Sequence, residues 1–374
     1  MREPILITGG AGFIGSHLAE ALAGQGAIVR VLDSLDPQVH GPGATRARLL
    51  PPGVEFLHGP VRDAPLVDRA LEGVRTVVHL AAAVGVGQSM YAIASYVEAN
   101  VGGTAVLLDR IVNRRPRIDR LVVASSMSIY GEGRYRCSGC GPVAPPPRPL
   151  RQLQAREWEM RCPQCGLRVE SSPTDEDKPL NPTSVYAVTK RDQEELCLCV
   201  GRAYGIPTVA LRLFNVYGPR QALSNPYTGV AAIFGARLLN RQSPLVFEDG
   251  LQTRDLVHVS DVVAAFQAVL ATPSVADVAI NIGTGQATSI RDIAVLLAKS
   301  LKIDRAPEIV GRFREGDIRH CVANIERAKR LLGFTPRVGF GSGLADLVQW
   351  MLTQRGEDHV PRATAELEER GLIR

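Results

Sequence analysis

Ile5-Leu6-Ile7-Thr8-Gly9-Gly10-Ala11-Gly12-Phe13-Ile14-Gly15 decides the fold: an apolar β-rich run passes directly into glycines spaced Gly-x-x-Gly-x-x-Gly and then into a helical pattern. Those glycines let the backbone turn tightly and approach a pyrophosphate at the N-terminus of the following helix. Asp33 ends the next strand pattern. A carboxylate there accepts hydrogen bonds from adenosine ribose hydroxyls and repels a 2′-phosphate, which favours NAD over NADP. The competing reading, an ordinary strand-to-helix turn with a surface aspartate, is disfavoured by the strand–turn–helix context.

Outward from this turn, Ile28–Leu32, Val54–Leu57, Thr76–Leu80 and Leu121–Ala124 read as further strands separated by helical stretches. This alternation predicts βαβ units, a doubly wound parallel sheet and the α/β class. Residues 133–172 break the rhythm with Pro145-Pro146-Pro147 and two Cys-x-x-Cys pairs, and read as an insertion. Thr183–Tyr204 then predicts one long helix and Pro207–Leu213 another strand. We therefore expect a Rossmann domain over 1–213 and a mainly substrate-binding lobe over 214–374, with segments returning to the first domain. With 45% hydrophobic and 22% charged residues the composition is that of a globular protein, not a disordered one. No apolar run approaches the roughly 20 residues of a membrane span, and the N-terminus lacks a signal-peptide pattern, so a cytoplasmic location is expected. The net charge of +5 suits an anionic ligand but decides little.

Tyr186 and Lys190 are four residues apart in the predicted helix and share a face. A nearby ammonium is expected to lower the phenol pKa, so that Tyr186 removes a hydroxyl proton while a hydride leaves. Ser125 and Ser126 close the fifth strand at the same end of the sheet. Tyr-x-x-x-Lys alone is common on exposed helix faces; its combination with the glycine turn gives it weight.

Cys137-x-x-Cys140 and Cys162-x-x-Cys165 have the spacing of a zinc ribbon, each pair followed by a glycine, Gly141 or Gly166, at a knuckle turn. Four thiolates close the coordination sphere, so the expected role is structural. A substrate lid ranks next, and nucleic-acid binding last. Cys197 and Cys199 are expected in the core.

With the glycine turn, Asp33, Tyr186 and Lys190, the chain also shows His79-Leu80-Ala81-Ala82, Asn100, Leu211-Arg212-Leu213-Phe214-Asn215-Val216-Tyr217-Gly218-Pro219, Arg254-Asp255-Leu256-Val257-His258-Val259 and Arg314-Glu315-Gly316-Asp317. From Ile5 to about Trp350, outside the insertion, it resembles the nucleotide-sugar epimerase/dehydratase family of extended short-chain dehydrogenases/reductases. The resemblance implies a nucleotide-sugar substrate, bound NAD and a homodimer formed through helices near 92–112 and 185–204, with neither nucleic acid nor membrane as partner. It implies Ser126, Tyr186 and Lys190 as catalytic residues. Gly9, Gly12, Phe13, Ile14, Gly15, Asp33, Val61, Asp63, Leu80, Ala81, Ala82, Asn100 and Ser125 would line the cofactor, with Lys190 on the nicotinamide ribose. Asn215, Arg254 and Arg314 would hold the nucleotide diphosphate, and Val86, Gln88, Asp317 and Cys321 would bound the sugar. Pro60 stands where relatives often carry an adenine-contacting aspartate, and Val84 where many carry a lysine.

Related 4,6-dehydratases follow the active-site hydroxyl residue with Asp-Glu, whereas Ser126 is followed by Met127-Ser128 and the run Ser125–Tyr130 carries no carboxylate. Without an acid and base for elimination, return of the hydride to the 4-keto sugar is the easiest course, so 4-epimerisation is expected. By resemblance around Gly85–Met90 and Asn225–Val230, the implied substrate is dTDP-L-rhamnose or another dTDP-6-deoxyhexose. UDP-glucose or UDP-N-acetylglucosamine is the alternative, followed by a dehydratase or decarboxylase. A non-catalytic Rossmann protein whose zinc ribbon binds a partner is the reading from another class.

Overall fold

The computed structural model describes residues 3–41, 43–45, 49–114, 116–354 and 356–374. The expected strands form as β1 (Ile5–Thr8), β2 (Val29–Asp33), β3 (Glu55–His58), β4 (Thr76–His79) and β5 (Arg120–Ser126), joined by Thr208–Leu213 and Val278–Ile282. These seven strands pair in parallel in the order β3, β2, β1, β4, β5, Thr208–Leu213, Val278–Ile282. The order reverses between β1 and β4, the crevice where doubly wound sheets bind ligands at their carboxyl ends. Both faces are covered, so the central strands are mainly apolar and buried, while the edge strand β3 is polar at both ends. One face packs Ile7, Val31, Val78 and Val122 with Leu18 and Phe266; the other packs Leu6, Leu32, Val77 and Leu121 with Leu107 and Cys197.

The strand Val278–Ile282 and the helix Val259–Ala271 lie beyond residue 214 yet build the seven-stranded layer and its core. The rest of the second half forms a smaller cluster around Phe234, Leu297 and Leu347, carried by helices Val230–Leu239, Ile290–Ser300 and Phe340–Met351. Two short sheets add the segments that the site uses: Asn215–Tyr217 pairs with Leu256–His258, and Thr253–Arg254 pairs with both Thr288–Ser289 and His320–Cys321.

The insertion has its own small architecture. Arg134–Cys137 pairs antiparallel with Gly141–Val143 and with Glu170–Ser172, and Leu150–Gln154 forms a short helix. Tyr135, Val143, Met160 and Val169 make a miniature core around Cys137 and Cys162. Among the described residues, no helix is long and apolar enough to cross a membrane.

Candidate active site

The glycine turn has the geometry that the sequence requires. Gly9 adopts φ +68°, and a Cβ there would stand 2.7 Å from the Ala81 amide nitrogen, so only glycine lets β1 and β4 close together. Gly12 caps the helix Phe13–Gly24 without any side-chain cap, which leaves the first helical amides turned toward the crevice. Asp33, nearly buried, accepts from the Ala11 amide at 3.0 Å and the Leu35 amide at 2.9 Å, and His40 Nε2 lies 3.3 Å away. It thus pins the turn as well as standing at the end of β2.

Asn100 is fully buried on a π-helical turn, Val97–Gly102, that no periodicity announced. Its side chain accepts from the Ala83 amide at 2.6 Å and donates to Ala83 O and Thr189 Oγ1, so it fixes the loop after β4 against the Tyr186 helix. Val61 packs in the core, and Asp63 caps the helix Ala64–Leu71 through the Leu66 amide at 3.0 Å.

The helix Val185–Tyr204 starts at Ser184, whose hydroxyl accepts from the Ala187 amide, while Ser89 Oγ accepts from the Tyr186 amide at 3.0 Å. This brings Tyr186 to the end of β5, beside Ser126, whose hydroxyl acts on the Tyr186 phenol. Ser126 in turn accepts from the Ser128 hydroxyl at 2.9 Å and the Ser128 amide at 3.2 Å.

The electrostatics differ from the expectation drawn from spacing. Burial pushes the Tyr186 phenol above its ordinary value, and the Ser126 hydroxyl is the group that opposes this. The Lys190 ammonium is taken up elsewhere, by Ala124 O at 2.5 Å and Gln193 Oε1 at 2.8 Å, and burial brings it down to about 8. Gln193 was missed. Its amide donates to Thr104 Oγ1 at 2.8 Å and Ala81 O at 3.3 Å, tying Lys190 to the loop that follows β4. Its position three residues beyond Lys190, on the same helix face, was the available signal. His79, which bonds Thr8 and Thr104 through its two ring nitrogens, is held neutral by burial, at about 3.

On the other side of the crevice, Arg254 donates to Thr253 O and Ile318 O, both at 2.8 Å, and to Arg319 O at 3.1 Å. Arg314 stacks over Phe247 at 4.0 Å. Asp255 accepts from the amides of Thr284, Gly285 and Ala323, which fixes the strand start beside Arg254. Gln88 bonds Gln38 and accepts from the Tyr96 hydroxyl at 3.1 Å, and Val86 is half-buried beside it. Asp317 lies in the same segment as Arg314, its carbonyl accepting from Arg148. Cys321 has no exposed surface and packs with Met127, Tyr130 and Phe214. Of the two helix cysteines expected in the core, Cys197 is there and Cys199 is exposed. Among the described residues, nine buried side-chain polar atoms have no partner, and Ser125 Oγ, Asn215 Oδ1 and Arg314 Nε are three of them. All three belong to residues selected from the sequence for ligand contact, and a buried polar atom left unpaired is costly unless a ligand pairs it.

The sulfur atoms of Cys137, Cys140, Cys162 and Cys165 all lie within 4.8 Å of one another, with Cys137 and Cys165 at 3.5 Å. A zinc tetrahedron with bonds of ~2.3 Å places its sulfurs about 3.8 Å apart. Gly141 and Gly166 adopt φ +78° and +75° at the two knuckles. The neighbouring thiols push Cys140 and Cys165 up, while backbone amides of Cys165 and Gln164 bring Cys162 down against its burial, and it is the convergence of four sulfur atoms that suits a cation.

Residues 5–149 and 164–283 match the model of the NAD dependent epimerase/dehydratase family. The chain belongs to that family. It is 36% identical over 351 residues to a dTDP-L-rhamnose 4-epimerase of Burkholderia thailandensis, covering 93% of this chain and 95% of that one. A putative UDP-glucose 4-epimerase of Methanocaldococcus jannaschii is 32% identical over 93% of this chain and 98% of its own length. Among solved structures, the UDP-glucose 4-epimerase of Thermotoga maritima with UDP-glucose superposes with a TM-score of 0.77 at 29% identity, over 93% of this chain and 98% of that one. The UDP-glucuronic acid 4-epimerase of Bacillus cereus, in complex with UDP-glucuronic acid and NAD, gives 0.77 at 28% identity, over 93% and 99%. The gap between the two matched stretches, 150–163, falls inside the cysteine insertion.

Proposed function

We propose that the protein is an NAD-dependent nucleotide-sugar 4-epimerase whose substrate is dTDP-L-rhamnose or another dTDP-6-deoxyhexose. The observation that carries the reaction is the meeting of Ser126, Tyr186 and the buried Lys190 at the end of β5, in a strand-end run free of carboxylates.

The residues present fit NAD: the uncapped helix start at Gly12, the close approach at Gly9 and the unpaired Ser125 Oγ are complementary to a dinucleotide laid across the crevice. Gly9, Gly12, Gly15 and Asp33 would hold its pyrophosphate and ribose, and Lys190 its second ribose. When bound, NAD supplies a hydride acceptor that can return what it takes. The chain's own groups manage the proton. Tyr186 acts as the phenolate: it takes the proton of the sugar hydroxyl, becoming the neutral phenol, and gives it back when the hydride returns, while Ser126 favours the ionised form that burial disfavours. Lys190, an ammonium below about pH 8, adds positive charge to the same buried site. Asn215 and Arg314, each with a buried unpaired atom, and Arg254 would grip the diphosphate. With no carboxylate in the Ser125–Tyr130 run to catalyse elimination, a 4-keto sugar that turns over in the site takes back its hydride rather than losing water.

The dTDP-6-deoxyhexose assignment is supported by the relative at 36% identity and by its coverage of nearly the whole chain. UDP-glucose or UDP-N-acetylglucosamine is the second reading, favoured by the archaeal relative and the Thermotoga structure. The four cysteines hold one structural zinc ion. Two copies associate through the face where Ile93, Val97 and Val188 are exposed at 51%, 43% and 36%, a concentration of apolar surface on the expected helices. The test is an NMR assay of a panel of nucleotide sugars with the purified protein. Conversion of dTDP-L-rhamnose to its C4 epimer is expected, and turnover of UDP-sugars alone would favour the second reading.

A further inference from the structure

The cysteine insertion is not a detached appendage. Both of its legs are bonded to the chain segment that follows Arg314. On the first leg, the Glu132 carboxylate accepts from the Arg319 amide at 2.7 Å and the His320 amide at 3.3 Å, and from the Tyr135 hydroxyl within the insertion at 2.6 Å. The Gly133 amide donates to His320 O at 2.8 Å. On the return leg, the Thr174 amide donates to Val322 O at 2.7 Å and Thr174 O accepts from the Asn324 amide at 2.8 Å. Between the legs, Trp158 packs with Leu153 against Phe313, the neighbour of Arg314.

At the centre lies Arg319, whose side chain has no exposed surface. Its guanidinium donates to Glu159 Oε1 from Nη2 at 2.5 Å and from Nε at 3.2 Å, to Glu248 Oε2 at 2.9 Å and to both oxygens of Asp249. Glu248 is shared with Arg148 of the insertion, which binds it through two nitrogens at 2.7 and 2.9 Å and reaches Asp317 O at 3.3 Å. Glu159 also lies 3.4 Å from His320 Nε2. It precedes Met160, whose carbonyl accepts from the Val169 amide inside the cysteine hairpin. From the opposite side, Arg254 holds the carbonyls of Ile318 and Arg319. Residues 317–320 are thus gripped between the insertion and Arg254. A buried guanidinium has few alternative arrangements once its carboxylates are fixed, because any other would leave charge unpaired.

We infer that the four-cysteine module is a positioning element for the substrate-binding segment 314–321, acting through Glu159 and the buried Arg319. This rests on the reading of Arg254 and Arg314 as diphosphate ligands. The module sets how tightly the nucleotide end is held, while the Ser126–Tyr186–Lys190 chemistry and the dinucleotide crevice stand on other elements.

The experiment compares the parent protein, its Glu159→Gln variant and chelator-stripped parent, with dTDP and UDP as calorimetric probes and with bound NAD read by absorbance. For Glu159→Gln we expect full metal content, unchanged NAD retention, a Kd for the nucleoside diphosphate weaker by roughly 3- to 30-fold, and a matching rise in KM with kcat within about twofold. Metal removal should weaken dTDP or UDP in the same direction while NAD stays bound. Equal diphosphate binding in parent and Glu159→Gln would overturn the inference and leave the functional reading intact. So would parallel loss of NAD and diphosphate, the mark of general destabilisation. If the parent itself bound neither nucleoside diphosphate, the functional reading would fall and this inference with it.

Discussion

Gln193→Leu removes one of the two acceptors seen on the Lys190 ammonium and leaves Ala124 O at 2.5 Å. Below about pH 8 Lys190 carries its charge, and it loses that charge as pH rises through this value. If catalysis needs the ammonium, the parent's kcat/KM should fall on the alkaline side, to roughly a tenth of its plateau one pH unit above that point. A hydrogen bond to a charged group contributes roughly 1.5–3 kcal/mol, and about 1.36 kcal/mol corresponds to one pH unit, so losing the acceptor should move the alkaline limb down by about 1–2 pH units. Other groups facing Lys190 do not compensate. His79 is neutral, Tyr186 is held above its ordinary value, and Glu194 and Cys197 already act in the parent. Gln193→Glu supplies the opposite perturbation, keeping an acceptor and adding negative charge, and should move the limb upward. The assay is kcat/KM against pH at saturating NAD, with thermal unfolding as a check on integrity. A uniform loss at every pH with the limb unmoved in both variants would show that Gln193 only fills space.

Other outcomes follow from the same site. Tyr186→Phe should lose about 10²- to 10⁴-fold in turnover with NAD binding nearly intact, as measured by steady-state rates and cofactor absorbance; activity within a few-fold of the parent would point to another base. A substrate deuterated at C4 should emerge as its C4 epimer with the label retained and no net NADH, whereas a 4-keto-6-deoxy product or released carbon dioxide would overturn the epimerase assignment. Elemental analysis without added metal should find one zinc per chain on the four cysteines; a value near zero with four free thiols would refute the site. Because Cys321 is fully buried, Cys321→Tyr should cost about 1–3 kcal/mol by overpacking, read by thermal unfolding. If it also bounds the sugar, use of sugars with bulky substituents should fall more than use of small hexoses.

Local chemistry made much of this molecule legible. The five expected strands of the first half appear within a residue or two, because alternating apolar strands and amphipathic helices leave little choice of layer. The helix ending at Tyr204 is closed by Gly205 in the left-handed conformation. The short strands of the insertion were not read, since runs of three or four residues flanked by proline and glycine carry no usable periodicity. The pairing of Lys190 with Tyr186 was inferred from spacing, but which acceptor an ammonium chooses depends on neighbours from other strands. Least legible was the cluster of Arg148, Glu159, Glu248 and Arg319, whose members look like ordinary surface charges in sequence and meet only when distant segments fold together.

The double duty of Asp33 has a consequence for protein engineering. On the proposed reading Asp33 also meets the adenosine ribose and repels a 2′-phosphate, so a change of preference toward NADP calls for a small neutral residue there. Here the same carboxylate also receives the Ala11 and Leu35 amides, one from the glycine turn and one from the loop after β2. A swap at this single position would therefore loosen the phosphate-binding turn while changing its selectivity. A redesign toward NADP should begin by giving those two amides new acceptors.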